Sequence, residues 1–576
     1  MLSSRSSSCL LLSLVLIGAT PAPAPSAAPP TLAQTLEAID AFAPVALARQ
    51  GAPGMSVAIV DKTGVLRIES VGFANRETKE PVTPQTRFGI GSITKSFTAS
   101  ALLQLKDAGR FDDALPVTHY LPWFSIHSAY RPITSHDLFS HSSGLPDGGL
   151  STGYAGPASL RDWFTGYAPG THWSYSNVGY DTLGAILTTI DRSDYQSIIA
   201  RRIFAPLEMT HSTTIWNPQT LADAATGYTY ADDDRPAPPV HPRLVTTPTT
   251  HYQDPAGSVL TTSGDMANYM RYILNGGAGP HGRLLSPASW KLLTSPAITN
   301  GKEMGAGGHG MFGLYGYGLA DQRIEGDRLV GHTGGVLSYT ACMQLDLTRG
   351  YGVIAMSNLN YAGPRPCAIV TYAIKALRAY AEGKPLPVAP KADDPLHVDK
   401  PAAFAGSYAL QGGTKRLVVA ANGDRLTLTD ANGTYAMYPN GEDSFWIDSP
   451  AYAAASLQFG RDAKKRVVEA FFGSQWFTGA TYAGPRTFAY PKIWNAYLGH
   501  YAAIDADGYY GSVRVIVRKG KLAYDDGTPL APLGGNLFRV GSDAWTPERV
   551  RFTEIIDGKS RILTAPGGAL YRTDEP

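Results

Sequence analysis

The sequence predicts a mixed α/β (α+β) protein in which helices pack on an antiparallel sheet, an all-helical insert interrupts that sheet, and two small antiparallel β-barrel domains follow. Helical and strand periods alternate from Thr31 to about Ala381. A stretch rich in proline and charge, residues 382–400, then ends this pattern and predicts a linker at a domain boundary. Beyond it, short alternating strands and Gly, Asp and Asn turns dominate. The chain of 576 residues is also too long for one hydrophobic core.

The first unit, residues 31–381, carries strand patterns at both of its ends. "MSVAIVDKTGVLRIESVGFA" predicts two strands joined by a turn at Asp61 to Gly64, and "GVLSYTACMQLDL" and "YGVIAMSNL" predict strands near the other end. Helical patterns lie between them, and "TLAQTLEAIDAFAPVALARQ" predicts a helix before them. We therefore expect one sheet built from both ends of the unit, with a helical block inserted and the functional site where the two parts meet.

The C-terminal part contains two similar units, residues 401–490 and 491–576. "FAGSYAL", "LVVAANGDRLTL" and "DSFWI" in the first run parallel to "YLGHYAA", "VRVIVRKGKLAY" and "NLFRV" in the second. Each unit predicts a small antiparallel barrel or sandwich. The alternative is one larger β-domain with coincidental internal similarity.

The charge of the chain limits the classes of partner that it could bind, and its N-terminus predicts where in the cell it acts. The chain has 49 Lys and Arg against 48 Asp and Glu, scattered along its length, so neither a nucleic-acid partner nor a basic membrane patch is predicted. A small molecule or short peptide is the expected substrate. Residues 1–30 contain the apolar run "LLLSLVLIGA" followed by "TPAPAPSAAPP", which predicts a signal peptide with a Pro/Ala tether and hence a secreted or periplasmic protein. An uncleaved N-terminal anchor is the alternative.

Two of the three cysteines, Cys342 and Cys367, lie beyond this leader. They could pair in an oxidising compartment, but two cysteines fix no framework and give no metal-site spacing, so their pairing stays open. No metal and no cofactor are predicted. G-x-S-x-G and H-E-x-x-H motifs do not occur in the sequence, which argues against an α/β-hydrolase and a zinc peptidase.

The first chemical motif is "SITKSFTASALLQLKDAG", in which Ser92 precedes Lys95 by three positions at the start of a predicted helix that ends near Gly109. Side chains three apart rise on one helix face, so the amine can approach the hydroxyl. Burial and the helix dipole would lower the pKa of the lysine and let it act as a base. The alternative is a capping serine followed by a solvated lysine.

The second and third motifs are "WSYSN" and "GHTGG". Tyr175 and Asn177 lie two apart in a segment expected to be extended, so both side chains can line one wall of a cleft. A cation nearby would favour the phenolate of Tyr175, which could then relay protons. The alternative is a buried aromatic residue followed by Asn177 as a helix N-cap. In "GHTGG", His332 and Thr333 precede glycines that allow a close approach to the backbone, although a glycine-rich strand start without function would look the same.

Taken together, "SITK", "YSN" and "HTGG" resemble the motifs of the serine β-lactamase and penicillin-binding-protein-like family, of the class C type that includes DD-peptidases, D-aminopeptidases and esterases. "ITSHDLFSHSSGLP" and "PAGSVLTTSGDMANYMRYILNGG" extend the resemblance over roughly residues 35 to 380. The β-units resemble, more weakly, the lipocalin-like domains that follow the catalytic domain in D-aminopeptidases.

The resemblance implies a role for each residue of these motifs. Ser92 would be the acylated nucleophile, Lys95 its base and Tyr175 the proton relay to the leaving group. The substrate would be bound by Asn177, His332, Thr333 and Gly334, and the oxyanion hole would consist of the backbone N–H groups of Ser92 and Gly335. His332 stands where many relatives carry lysine, which argues against efficient β-lactam hydrolysis. His141, in "HSSGLP", is expected to be structural.

The predicted function is that of a serine hydrolase which cleaves a small amide or ester through an acyl-enzyme, of the D-amino-acid peptidase type. One alternative is a carboxylesterase of the same family. Another, from a different class, is a non-catalytic binding or scaffold protein.

Overall fold

The computed structural model describes residues 29–574 except 149–154, 232–235, 237–241, 249–251, 299–313, 325–326, 361–363, 392–393, 506–507 and 567. The predicted signal peptide, residues 1–30, lies outside the described residues apart from Pro29 and Pro30. Within the described part of the chain, no helix combines the length and the apolar character that crossing a membrane requires.

The first unit mixes helices and strands in the predicted order. Its helices are α1 (Leu32–Gln50), α2 (Thr94–Asp107), α3 (Val117–Tyr120), α4 (Ser135–Phe139), α5 (Ala155–Ser159), α6 (Asn177–Asp191), α7 (Tyr195–Ile199), α8 (Ser263–Leu274), α9 (Pro287–Thr294) and α10 (Cys367–Ala381). Its strands are β1 (Gly54–Asp61), β2 (Val65–Asn75), β3 (Glu80–Pro81), β4 (Phe88–Gly89), β5 (Tyr228–Tyr230), β6 (Leu244–Thr246), β7 (Leu260–Thr261), β8 (Ala278–Gly279), β9 (Gly282–Arg283), β10 (Leu314–Tyr315), β11 (Ala320–Ile324), β12 (Asp327–Val336), β13 (Tyr339–Asp346) and β14 (Tyr351–Ser357).

The main sheet joins the two ends of this unit. Its order is β10-β11-β12-β13-β14-β1-β2-β3, and the central pairing places Met55 opposite Ser357 in antiparallel register. Helices α2 to α7 fall between β4 and β5, which is the inserted helical block. The predicted architecture of one sheet assembled from both ends is confirmed.

Helices cover both faces of the sheet, which explains why β1 is buried along nearly its whole length. Met55, Val57 and Ile59 pack with α1 and α10 on one face, whereas Ala58 and Val60 join the larger core beneath α2 and α8 on the other. Helix α1 begins where Thr31 and Gln34 form a reciprocal capping box. A strand buried on both faces has no polar side to alternate with its apolar one.

Cys342 of β13 forms a disulfide with Cys367, the first residue of α10, and their Cα atoms lie 5.3 Å apart. This separation lies within the range that a disulfide spans. The bond fastens α10 to the sheet and resolves the pairing that the sequence left open.

Two eight-stranded antiparallel sheets follow, each with its own core. The first is a closed barrel of β15 (Gly406–Leu410), β16 (Arg416–Asn422), β17 (Arg425–Asp430), β18 (Gly433–Pro439), β19 (Ser444–Ile447), β20 (Leu457–Arg461), β21 (Val467–Phe472) and β22 (Gln475–Gly479). The second consists of β23 (Gly499–Asp505), β24 (Gly508–Arg518), β25 (Lys521–Tyr524), β26 (Leu530–Gly534), β27 (Leu537–Val540), β28 (Arg549–Ile556), β29 (Lys559–Ala565) and β30 (Gly568–Arg572).

The terminal strands of the second sheet, β25 and β26, meet at a bridge between Ala523 and Pro529, which gives that sheet a barrel-like form. Because the two sheets have separate cores, the alternative of one larger β-domain is wrong.

Candidate active site

Ser92 lies in a tight turn between the short strand β4 and helix α2. The sequence placed Ser92 on the helix, but the structure puts it in a 3₁₀ turn, Gly91–Ile93, from which α2 continues at Thr94. The side chain of Ser92 is partly exposed, whereas the residues on both sides of it are buried. The turn therefore leaves the hydroxyl of Ser92 accessible at the N-terminal end of α2.

Strand β12 runs directly against this turn, and two glycines permit the approach. A Cβ atom on Gly91, whose φ is +51°, would overlap the backbone nitrogen of Gly335. A Cβ on Gly334 would overlap the carbonyl oxygen of Ile90. The backbone of "GHTGG" thus lies beside Ser92, and the pairing of the Ser92 and Gly335 N–H groups as an oxyanion hole stays a prediction.

Lys95, one helical turn after Ser92, is completely buried. Its Nζ donates hydrogen bonds to Ser92 Oγ at 3.0 Å, Asn177 Oδ1 at 2.7 Å and the carbonyl oxygen of Ala256 at 2.9 Å. Three acceptors match the three protons of an ammonium, while a neutral amine would keep two of these bonds and turn its lone pair to the third partner. The alternative of a solvated lysine is wrong.

Burial lowers the pKa of Lys95 to about 8, although the carboxyl groups of Asp254, Asp147 and Asp181 oppose the shift. Burial and the nearby Asp254 raise the pKa of Asp181 well above its usual value. A useful fraction of Lys95 is therefore unprotonated at mildly alkaline pH, as a general base requires.

Tyr175 completes the cluster from the inserted block. Its ring centroid lies 4.8 Å from Lys95 Nζ. Burial raises the pKa of Tyr175 well above its usual value, and a hydrogen bond with the Ser92 hydroxyl only partly offsets this rise. The expectation that a nearby cation favours the phenolate is thus wrong: desolvation outweighs it, and Tyr175 is a neutral phenol near pH 7.

Asn177 faces Lys95 because Asp147 fixes its amide. The Asp147 carboxylate accepts hydrogen bonds from the backbone N–H of Asn177 at 3.0 Å and from its Nδ2 at 2.8 Å, which leaves Oδ1 to accept from Lys95. The cap of α6 is Ser176, whose side chain accepts from the N–H of Gly179, so the alternative of Asn177 as the N-cap is wrong. The extended backbone of Ser176 explains why Tyr175 and Asn177 both reach the site.

Comparison of the chain with known protein families agrees with this site geometry. The family described as Beta-lactamase matches residues 32–378. The chain belongs to the beta-lactamase family. This confirms the resemblance that the motifs indicated.

Two individual proteins show how much of the chain the sequence similarity covers. Penicillin-binding protein 4 of Amycolatopsis lactamdurans is 30% identical over 382 residues, which cover 63% of this chain and 94% of the relative. Protein flp of Staphylococcus aureus (strain MRSA252) is 26% identical over 320 residues, which cover 54% of this chain and 60% of flp. This chain therefore spans less than two thirds of the length of flp.

Among solved structures, the octameric penicillin-binding protein homologue from Pyrococcus abyssi superimposes with a TM-score of 0.54. The alignment covers 77% of this chain and 99% of that protein at 24% identity. At that identity the likeness concerns the fold.

His332, the first residue of the "HTGG" motif, has a buried ring. Its Nε2 shares a hydrogen bond with the hydroxyl of Tyr315 at 2.9 Å, and its Nδ1 contacts the carbonyl oxygen of Thr333. Thr333 is also buried. Substrate binding by His332, Thr333 and Gly334 stays a prediction.

His141 packs behind Tyr175, with ring centroids 4.3 Å apart. Its Nδ1 accepts a hydrogen bond from the N–H of Ser176 at 3.1 Å. Burial, with Lys95 nearby, lowers the pKa of His141 well below its usual value, so the ring is neutral. These contacts fit the structural role expected of it.

Sequence reasoning missed the acidic and backbone partners of Lys95. Asp147 follows "HSSGLP", Asp181 lies on α6, and Asp254 and Ala256 belong to "DPAGS". Isolated Asp residues at unrelated positions carry no local signal, so no pattern in the sequence could have singled them out. Within the described residues, no group of three or more His, Cys, Asp or Glu side chains could hold a metal ion.

Proposed function

We propose that this chain is a serine hydrolase that cleaves a small amide or ester through an acyl-enzyme on Ser92. The observation that carries the proposal is the buried amine of Lys95, with a pKa of about 8, at 3.0 Å from Ser92 Oγ. A hydroxyl becomes an effective nucleophile when an adjacent base of suitable pKa takes its proton.

In the proposed acylation, neutral Lys95 takes the proton of Ser92 as Oγ attacks the substrate carbonyl. Backbone N–H groups of Ser92 and Gly335 stabilise the oxyanion. Tyr175, a neutral phenol, donates its proton to the leaving nitrogen or oxygen and regains a proton from the Lys95 ammonium. The serine proton thus ends on the leaving group. Water then attacks the acyl carbonyl and passes its proton back by the same route.

For the substrate, we propose an amide or ester with a D-amino acid at the scissile bond, as in D-aminopeptidases and DD-peptidases. The similarity to penicillin-binding protein 4 over 94% of that relative supports this class, since its name states that it binds penicillin. Asn177, held by Lys95 and Asp147, offers a fixed amide at the edge of the site. We also propose that residues 1–30 direct secretion.

The buried His332 favours a second candidate function, a carboxylesterase. Its two ring nitrogens contact Tyr315 and the backbone of Thr333, so no lysine ammonium stands at this position to attract a substrate carboxylate. A p-nitrophenyl acyl ester compared with a D-alanyl amide distinguishes the two, because amide cleavage needs protonation of the leaving group and cleavage of an activated ester hardly does. Activity on short esters alone would refute the peptidase assignment.

The nucleophile itself is tested with Ser92→Ala. We expect hydrolysis of both substrates to fall by several powers of ten while the variant still folds, because Ser92 is partly exposed at a turn. Full ester hydrolysis by this variant would refute the mechanism. Failure of a fluorescent penicillin and of a fluorophosphonate to label the wild-type protein would instead favour the non-catalytic binding or scaffold protein.

A further inference from the structure

A segment of the second barrel, residues 541–548, packs on the inserted helical block beside the candidate active site. The ring of Trp545 stacks on His172 with centroids 4.8 Å apart. A Cβ atom on Gly166 would lie 2.5 Å from the carbonyl oxygen of Trp545, so the two backbones are in close contact. Arg549, which follows the segment, donates to the carbonyl oxygen of Phe164 at 2.7 Å.

The last residue of this segment, Glu548, is linked to Lys95 by an unbroken series of hydrogen bonds. Its Oε1 accepts from the backbone N–H of Asp147 at 2.8 Å. The Asp147 carboxylate holds both N–H groups of Asn177, and Asn177 Oδ1 accepts from Lys95 at 2.7 Å. The carboxyl group of Glu548 in the second barrel is thus connected, through Asp147 and Asn177, to Lys95 of the first unit.

The loop that carries Asp147 needs such support, since it contains neither helix nor strand at residues 142–148. Beyond Glu548, Asp147 and Pro146 are held by Val178, whose N–H donates to Asp147 O at 2.9 Å, and by Ser176, whose hydroxyl donates to Pro146 O at 2.7 Å. Both of these partners lie at the start of α6, whereas earlier in the loop the N–H groups of Gly166 and Gly170 donate to Gly144 O and Ser142 O. Glu548 reaches Asp147 from the second barrel, outside the first unit.

We propose that Glu548 is a positioning residue of the active site: it holds Asp147 in place and, through Asn177, orients the amine of Lys95 toward Ser92. The inference rests on the proposed function, in which Lys95 is the base. It assigns the second barrel a part in catalysis, because the acceptor that holds the Asp147 N–H comes from that barrel and not from the first unit.

The charge on Glu548 changes near neutral pH. Burial, together with the Asp147 carboxylate, raises the pKa of Glu548 to about 7, while Arg549 opposes the shift. The titratable groups that face it are Asp147, Arg549, Tyr167 and Tyr524. Above pH 7 its carboxylate adds a negative charge behind Asp147 and so favours the ammonium form of Lys95.

The test uses the full-length chain with Glu548→Ala, Glu548→Gln and the control Asp543→Asn, an exposed residue of the same segment. Each is assayed for kcat and KM on an activated ester and for the rate at which a fluorophosphonate labels Ser92 at pH 6 and pH 8.5. We expect Glu548→Ala to lower kcat and the labelling rate about fivefold, with KM within about twofold of wild type.

Glu548→Gln keeps an acceptor for the Asp147 N–H, and at pH 6 it mimics the protonated carboxyl group. The labelling rate of Glu548→Gln should equal that of wild type at pH 6. At pH 8.5, where only wild type carries the carboxylate charge at position 548, the labelling rate of the variant divided by that of wild type should be higher. For Asp543→Asn this ratio of labelling rates should be the same at both pH values.

The proposal is overturned if Glu548→Ala labels at the wild-type rate, or if Glu548→Gln loses activity at pH 6 as Glu548→Ala does. Should Glu548→Ala not fold, Glu548→Asp takes its place, since its shorter side chain draws the acceptor away from the Asp147 N–H; a wild-type labelling rate for that variant overturns the proposal. Wild-type protein that is not labelled at Ser92 would refute the proposed function itself, an outcome distinct from all of these.

Discussion

The buried amine of Lys95 makes the dependence of acylation on pH predictable. With a pKa of about 8, roughly one tenth of the molecules carry a neutral amine at pH 7 and roughly nine tenths at pH 9. Since the neutral form is the base, kcat/KM for an activated ester should rise about tenfold from pH 7 to pH 9 and level off above it. Activity increases with pH because the unprotonated amine is the base, and burial moves this increase down from near pH 10.5 to about pH 8.

The assay is the initial rate of p-nitrophenyl ester hydrolysis between pH 6 and pH 10, corrected for the uncatalysed reaction at each pH. Lys95→Met should lose about two to four powers of ten in kcat/KM at every pH. The control Lys291→Met replaces an exposed lysine on α9 and should follow the wild-type curve. A wild-type rate that is flat from pH 6 to pH 9, or a Lys95→Met variant that keeps the wild-type curve, would refute the assignment of Lys95 as the base.

Other predictions concern the relay, the nucleophile turn and the disulfide. Tyr175→Phe should slow hydrolysis of a D-alanyl amide about 100-fold but an activated ester less than about tenfold, because the phenol serves the leaving group; equal losses would contradict this. Gly91→Ala should lower the free energy of unfolding by about 2 kcal/mol more than Gly276→Ala, as measured in urea, since both glycines have positive φ but a Cβ overlaps backbone only at Gly91. The double variant Cys342→Ala, Cys367→Ala should lose about 3.5 kcal/mol, given the sequence separation of 25; unchanged unfolding would argue against the bond.

Motifs made of neighbouring residues were predictable from the sequence. The three-residue spacing of Ser92 and Lys95 places both side chains within one helical turn of each other. The extended backbone of Ser176 lets the side chains of Tyr175 and Asn177 point to the same side of the chain. The antiparallel sheet followed from strand patterns at both ends of the unit, because the apolar strands at the two ends can bury more of their surface in one shared sheet than in two separate pairs.

Features that depend on tertiary burial were not predictable. The protonation of Tyr175 was predicted with the wrong sign because the sequence shows a nearby cation but not the loss of water around the phenol. The contacts of Asp147 with Asn177, and of Glu548 with Asp147, join positions 30 and 401 residues apart. The pairing of Cys342 with Cys367 likewise could not be predicted without knowing that α10 packs against β13.

The central claim, that Lys95 activates Ser92 as a nucleophile, is tested most directly by locating the acyl group. The full-length protein is incubated with a fluorophosphonate or a fluorescent penicillin, digested, and mapped by mass spectrometry beside the Lys95→Met variant. The account predicts one adduct, on the peptide that contains Ser92, formed rapidly in wild type and barely in the variant. An adduct on another residue, or equal labelling of Ser92 in both proteins, would contradict it.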